Sequence, residues 1–431
     1  MAQTESSQFR FQSVILKKPD KGQEVDFTAG ALELHIYESV KVPYLTARIL
    51  IADTETLIEN LKLTGTELIT IELVNDDYGF TYTKDFYITR TEAEVKLGDN
   101  AGKGYFFYLA EDIFVLDILK KVSRGFRGTP AQIINNVLVS EFERNIKTVG
   151  RLPREASFSY VSPYISPLAI IETIRQRASD TMGFPYFVYA SLKSQDITMK
   201  SLSTILETDP LNDIPFVYST NQNANPGELA KLVNIKELNY KNTTDTLEML
   251  LKGAIQTNYN VLNISSSQMN QNPSVNIPKI LQDDNNSIYN KDFKIRDKKI
   301  EEYNPHVVYR LVNHTNQDEL GLHDEVDIET HVNKAKAHGI RSALNKHMME
   351  IVIPGLVGWY SNEPFVGNQI EITVPSSSTE GVEQTTSGAY VVLQSKHSFV
   401  NNKYDQLLTC SKLTHNTQRT LKPGPSGFLS L

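Results

Sequence analysis

Apolar and polar residues alternate along two stretches that lie far apart in the chain. The first runs from Leu32 to Leu73, LELHIYESVKVPYLTARILIADTETLIENLKLTGTELITIEL. The second runs from Ile351 to Thr414, through IVIPGL and VGNQIEITVP to GAYVVLQSKHSFVNNKYDQLLTCSKLT. In LITIEL, Ile69, Ile71 and Leu73 share one face, with Thr70 and Glu72 on the other. In YLTARILIAD, Leu45, Ala47, Ile49 and Ile51 alternate with Thr46, Arg48 and Leu50. A period of two, broken by turn residues, predicts short strands of a twisted antiparallel sheet or barrel. VNDDYGF marks a hairpin turn at Asp76–Gly79, and KDFYITRTEAEV and YFFYLAED continue the sheet. Asp53 and Thr54 open a short helical or turn segment, TETLIENL, and Gly65 turns the chain into the next strand.

The period changes after residue 110. EDIFVLDILKKVSRG predicts a short apolar helix, opened by acids and closed by Lys120, Lys121, Arg124 and Gly125, as the helix dipole favours. Thr129 before Pro130 is a start signal, followed by an apolar stripe of Ile133, Ile134, Val137, Leu138 and Phe142. Ser166 before Pro167 repeats the signal, with Leu168, Ile171, Ile174, Ala178 and Met182 as the stripe and Gly183 as the stop. PYFVYASLKSQDITMKSL reads as two strands. Strands return in LVNIKELNYK and LEMLLKGAIQTNYNVLNISSS, where Leu247–Leu251 also fits a helix. Residues 271–327 are polar and Asn-rich and read as long loops with a few edge strands. IETHVNKAKAHGIRSALNKH is helical in pattern, although Gly339 weakens it by about 1 kcal/mol relative to Ala. SSSTEGVEQTTSG is too polar to pack and fits a hairpin tip.

The expected class is mainly β with an α+β insert, built as two antiparallel β-barrels in one chain. The first barrel spans residues 1–110 and the insert 111–230. The second barrel combines 231–270 with 345–416, polar loops and a helix at 271–344 lead into it, and 417–431 form a flexible tail that needs a partner to be ordered.

Composition narrows the function. The 431 residues carry a net charge of −8, which disfavours gripping a nucleic-acid backbone. Hydrophobic residues at 40% and charged residues at 22% describe a globular chain. A single cysteine, Cys410, excludes an intrachain disulfide and reads as a buried small hydrophobe in a strand. The N-terminal residues lack a signal-peptide pattern, and no apolar run reaches the roughly 18–20 residues that span a bilayer, so cytoplasmic synthesis and folding is expected.

No motif carries chemistry. In GDNAGKG, Gly98 and Gly102 are too close for a phosphate loop, and Gly104 stands where the magnesium-binding hydroxyl belongs, so a hairpin turn is expected. His306, His314, His323, His331, His338 and His347 cluster late, but no pair has the spacing of HxxxH or HExxH, and surface or interface positions are expected even with Glu325 and Asp327 nearby. There is no GxSxG elbow, and nothing singles out two of the 51 carboxylates as a glycosidase pair. Asn242, Asn263 and Asn313 begin chance matches to glycosylation sequons. Tyr160 and Tyr164, flanking Ser162 and Pro163, are expected in the core or a domain seam. No catalytic, cofactor-binding or metal-binding residue is assigned, and no cofactor is expected.

The order of these elements resembles the baseplate hub proteins of contractile-tailed bacteriophages. The resemblance rests on Tyr37, Glu38 and Ser39 in an opening strand, and on a hairpin from Pro43 to Asp53. Leu63, Gly65, Glu67 and Ile71 follow, then the helices after Thr129-Pro130 and Ser166-Pro167, and finally the closing strands IVIPG and VGNQIEITVP. It covers roughly residues 10–416; loops 271–327 and the tail 417–431 match nothing in it. Its individual motifs are loose, and their order gives the specificity. The resemblance implies two tail-tube-like barrels in one chain, so that a homotrimer supplies a pseudo-sixfold ring joining the tail tube to a central spike. The hub region of type VI secretion spike proteins has a related fold but usually continues into a needle; here the spike is expected as a separate polypeptide. Implied partners are the central spike protein, a tail tube or tube-initiator protein, the tape measure protein and baseplate wedge proteins, with genomic DNA only in transit. The implied location is the virion baseplate, assembled in the host cytoplasm. The alternatives are a peripheral baseplate or host-recognition binding module, and a wall-degrading enzyme, for which no segment reads as a fused hydrolase.

Overall fold

The computed structural model describes residues 8–18, 22–53, 58, 61–75, 80–96, 103–150, 158–180, 183–218, 233–242, 246–263, 268–271, 275–276, 294–299, 302–303, 306–312, 328–345, 347–355, 363–375 and 386–413. The chain opens with β1 (Arg10–Lys18), β2 (Gln23–Asp26), β3 (Ala31–Ser39), β4 (Thr46–Asp53), β5 (Leu68–Asn75), β6 (Phe80–Lys96) and β7 (Lys103–Ala110). There follow α1 (Asp112–Leu119), β8 (Gly125–Gly128), α2 (Pro130–Phe142), β9 (Ile146–Val149), β10 (Phe158–Val161) and α3 (Pro167–Arg177). Next come β11 (Tyr186–Ser191), β12 (Ser194–Ser201), α4 (Leu202–Glu207), β13 (Phe216–Val217), β14 (Glu237–Asn242) and α5 (Thr246–Leu251). A smaller group holds β15 (Gln256–Asn263), β16 (Gln268–Gln271), β17 (Val275–Asn276), β18 (Lys294–Ile295), β19 (Lys298–Lys299) and β20 (Val307–Val312). The last elements are α6 (Ile328–Leu344), β21 (Met348–Pro354), β22 (Gln369–Thr373), β23 (Gly388–Val400) and β24 (Lys403–Ser411).

The alternation produces strands as expected, and their assembly is mainly β. Among the described residues, the principal sheet runs β14-β21-β24-β23-β3-β4-β7-β6-β5-β1-β2, with β22 on β23 and β13 on β22. The two alternating stretches are therefore joined edge to edge: β23 pairs antiparallel with β3 from Gln394↔Ser39 to Val400↔Glu33. The path does not return on itself among these residues, because the edge of β3 opposite β4 is taken by a strand from the other end of the chain.

Two hydrophobic clusters lie against this sheet. One gathers Leu34, Ile49, Ile71, Phe86 and Phe107 with the buried stripe of α2, and it also takes in Phe399 and Tyr404 from the C-terminal hairpin. The other gathers Phe216, Ile340, Ile351, Phe365, Tyr390 and Leu408, together with Val40 from just past β3. β11 is buried along its whole length, and its alternate residues feed both: Tyr186, Val188 and Ala190 the first, Phe187 and Tyr189 the second. A strand covered on both faces needs an unbroken apolar run, which PYFVYA supplies.

Local signals hold with shifts at element ends. Thr129 and Gln132 form the reciprocal cap of α2, and the whole expected stripe is buried. α1 stops at Leu119, before the basic residues expected to close it. They belong instead to an extended segment, since Val122 bridges Ile165 and β8 pairs with β10. α3 ends at Arg177 rather than near Gly183, because Ser179 bridges Pro185 and Gly183 turns the chain within that bridge at φ 88°. Leu247–Leu251 is helical, within α5. Tyr160 is buried, but Tyr164 is 69% exposed, contrary to the core or seam expected for it. Its backbone is left-handed, at φ 58°. The hairpin tip at 76–79, the glycine-rich turn at 97–102, most of 271–327, the loop at 376–385 and the tail lie outside the described residues.

Candidate functional site

In β3, Glu38 keeps the parity of Leu34 and Ile36, so the alternation drives a carboxylate inward. Glu38 is 3% exposed. A charge in that position requires partners, and the neighbouring strand provides them. On β23, Ser395, His397 and Phe399 share the inward parity, and the register sets Ser395 opposite Glu38 with His397 on the diagonal. Glu38 Oε2 lies 3.2 Å from His397 Nε2, and its Oε1 accepts from the Leu192 amide at 2.5 Å. His397 Nδ1 is 2.7 Å from the Tyr404 hydroxyl, and Gln406 Nε2 donates to Ser395 Oγ at 2.8 Å. One buried network thus ties together the first β stretch, the C-terminal hairpin and the turn between β11 and β12.

The Tyr404 ring stacks on Phe399 at 4.4 Å and meets Phe9 edge-on at 5.0 Å. Phe9 is placed there by its amide, which donates to Asn402 O at 3.0 Å. Gly355 lies directly against the Tyr404 ring, and a Cβ at that position would overlap it. The hairpin turns on Asn401 and Asn402, both left-handed (φ 51° and 61°), the two-residue turn that matches strand twist.

A cavity of about 20 Å³, lined by Glu38, Lys193, Phe365, His397, Tyr404 and Gln406, opens beside this network. It has room for roughly one water molecule, and Gln406 Oε1 is buried without a hydrogen-bond partner among the described residues. Burial lowers Lys193 to about 8, against the opposing pull of Glu38. Burial also pushes the Tyr189 phenol well above its usual range. Carboxylate, imidazole and phenol in line form a proton relay in principle, but Glu38, His397 and Tyr404 are all buried. The arrangement is suited to holding three parts of the chain in register.

Other polar nodes extend the joint. Lys200 of β12 donates to Asn368 Oδ1 at 2.5 Å, and Gln369 Nε2 donates to Thr208 O at 3.0 Å. Arg341 of α6 donates to Arg175 O at 3.1 Å, at the C-terminal end of α3, where a cation meets the helix dipole favourably. Burial, together with neighbouring Arg175, lowers Arg341 to about 10.

Each motif behind the family resemblance has a structural task here. Glu38 anchors the seam. Glu67, fully buried, accepts from the amides of Thr64, Gly65 and Thr66 at 2.6, 2.9 and 3.1 Å, and Gly65 supplies the φ of 84° that closes this turn. Those hydrogen bonds outweigh burial and hold its carboxyl below its usual range. Asp53 accepts from the Ile58 amide at 2.9 Å. Sequence patterns pointed to Glu38 and Glu67 but missed His397, Tyr404 and Lys193; a histidine at an inward position of β23 was the available signal. Of the late histidines, His306 and His338 stack at 5.3 Å and His347 is buried, while His314 and His323 lie outside the described residues. Cys410 is buried, and burial raises its thiol far above the usual range. Among the described residues, no three His, Cys, Asp or Glu side chains gather as a metal site, and no helix is long and apolar enough to cross a membrane.

No protein-family model matches the chain, and no curated protein matches it. Solved structures do. The tail protein from Neisseria meningitidis superposes with a TM-score of 0.56 at 9% identity, over 94% of this chain and 97% of that one. The 43 kDa tail protein of prophage MuSo2 from Shewanella oneidensis gives 0.53 at 7% identity, over 93% and 98%. At these identities the likeness is one of fold. The chain has, over nearly its whole length, the fold of these two tail proteins.

Proposed function

We propose that this chain is a structural component of a phage-type tail, the hub at the centre of the baseplate. In this reading residues 1–110, and 231–270 with 345–416, act as two tail-tube-like barrel units, with residues 111–230 as an α+β insert between them. Three copies form a pseudo-sixfold ring that joins the tail tube to a central spike and surrounds part of the DNA path. Tube-initiator, tape measure and wedge proteins are the neighbours this position requires, and the work is mechanical, with no catalytic step. The observation that carries the reading is the fold likeness over more than nine-tenths of both chains. The buried seam adds to it. A part that transmits force between a tube and a spike needs its two halves bonded into one sheet, as β23 and β3 are.

Light scattering on the purified chain, alone and co-expressed with its candidate spike, tests this. A threefold mass with ring-shaped particles in negative stain is expected. A monomer in both samples overturns the ring and favours a peripheral baseplate or host-recognition module.

A further inference from the structure

The principal sheet gathers cations on the face that its inward-pointing apolar residues leave free. On β3, His35 and Tyr37 hold the parity opposite to Leu34 and Ile36. The register sets Arg48 of β4 directly opposite His35, and Lys396 of β23 opposite Tyr37, on the diagonal from His35. Arg48 and Lys396 therefore flank β3 across two strand spacings, about 10 Å, which two long side chains can bridge. Arg48 lays its guanidinium over the Phe106 ring at 4.7 Å. Among the described residues it has no hydrogen bond or ion pair, and its Nε is buried without a partner. Lys396 likewise has no hydrogen bond or ion pair among them. His35 is 6% exposed, and its Nδ1 is also buried without a partner. The nearby acids leave this unchanged. Glu33 is 3.6 Å from His35 Nε2, beyond hydrogen-bond reach. Glu92 is held by Arg90 at 2.7 Å and by the Tyr108 hydroxyl. Burial and then Arg48 lower the Lys396 ammonium, against the pull of Glu33, as burial, Lys396 and Arg48 lower His35.

We propose that Arg48, Lys396 and His35 form a binding site for a small dianion of the phosphate class. Like charges gathered on one half-buried face repel each other, and a bound anion removes that repulsion. The guanidinium, stacked flat on Phe106, keeps its fork of N–H donors for two oxygens. The Lys396 ammonium reaches a third, and an imidazole proton on Nδ1 adds a further donor. Two full charges match a dianion better than a single carboxylate. Glu33 on β3 and Glu92 on β6 would repel a nucleic-acid strand or an acidic segment laid across the face, and a compact anion need not cross them. The site stands independently of the ring reading.

Isothermal titration calorimetry of the full chain with inorganic phosphate, against sodium chloride at matched ionic strength, tests the proposal. One saturable site per chain is expected. Arg48→Gln and Lys396→Gln are each expected to weaken phosphate by about tenfold or more. Lys17→Gln removes the same charge elsewhere on the sheet and leaves the affinity unchanged. Phosphate is expected to raise the thermal midpoint of the wild type and of Lys17→Gln, and to leave that of the Arg48 and Lys396 variants where it stands. A wild type without saturable phosphate binding overturns the site. Equal weakening by Lys17→Gln also overturns it, since the attraction is then diffuse. Duplex DNA or a polyglutamate peptide that binds more tightly than phosphate, and is released by Arg48→Gln, overturns it in favour of a polyanion surface.

Discussion

Glu38 shows how one side chain bears on several levels of the structure. It sits where its strand demands an apolar residue, and its two oxygens reach His397 on another strand and Leu192 on a turn. Glu38→Ala leaves a buried imidazole and an amide without their partner, and is expected to cost about 2–4 kcal/mol by chemical denaturation. Wild-type stability in that variant would remove the seam's role. His35 points to the opposite face of the same strand. Burial, then Lys396 and Arg48, lower it to about 4 from 6.5. The unfolded chain therefore binds a proton that the folded chain refuses between these values. The contribution is complete above about pH 6.5 and is lost as pH falls toward 4. His35→Gln is expected to flatten the stability profile in that window by on the order of 1 kcal/mol once solvent screening is allowed for. Profiles from urea titrations that superpose for both proteins would refute it.

At the level of elements, α2 is the case where local chemistry and packing agree. Its capping box, proline start and apolar stripe all appear in the sequence, and all are realised. Thr129→Ala is expected to lower stability by about 1 kcal/mol, read from the thermal midpoint, while Thr129→Ser leaves it nearly unchanged. α1 shows the opposite. The residues expected to complete it are drawn into pairing with 158–165, because strand hydrogen bonds and burial of Phe126 and Val122 outweigh a favourable helix end. Intrinsic preference is a weak term that tertiary contacts override. The Asn401-Asn402 turn was open to reading as a hairpin signal, since the pair suits two left-handed residues between alternating strands.

At the scale of the molecule, the N-terminal core is completed from the far end of the chain. Phe399 and Tyr404 belong to the cluster around Leu34 and Phe107, and Phe9 packs on both. A fragment of residues 1–230 is therefore expected to unfold without a sharp transition, and mixing in residues 231–431 is expected to restore one. A cooperative melt of the fragment alone would show that the seam is dispensable. The two β stretches, the helices between them and the buried Cys410 were all legible in the pattern of the sequence, because each is a local statement about which side of an element meets water. The Glu38 partners were not, because they lie more than 150 residues away in the chain.

Period-two and period-3.6 patterns, caps and turn residues by themselves determined that this is a mainly β chain with helices between two sheet-forming stretches. They work through backbone geometry and the alternation of faces, which act over a few residues. Only the tertiary structure decided that both stretches share one sheet, that β11 is covered on both faces, and that Glu38, His397 and Tyr404 form one network. Those outcomes depend on which strand edges meet. The alternation along a strand specifies its faces and leaves open the neighbour that takes its edge; that choice falls to the packing of the whole molecule.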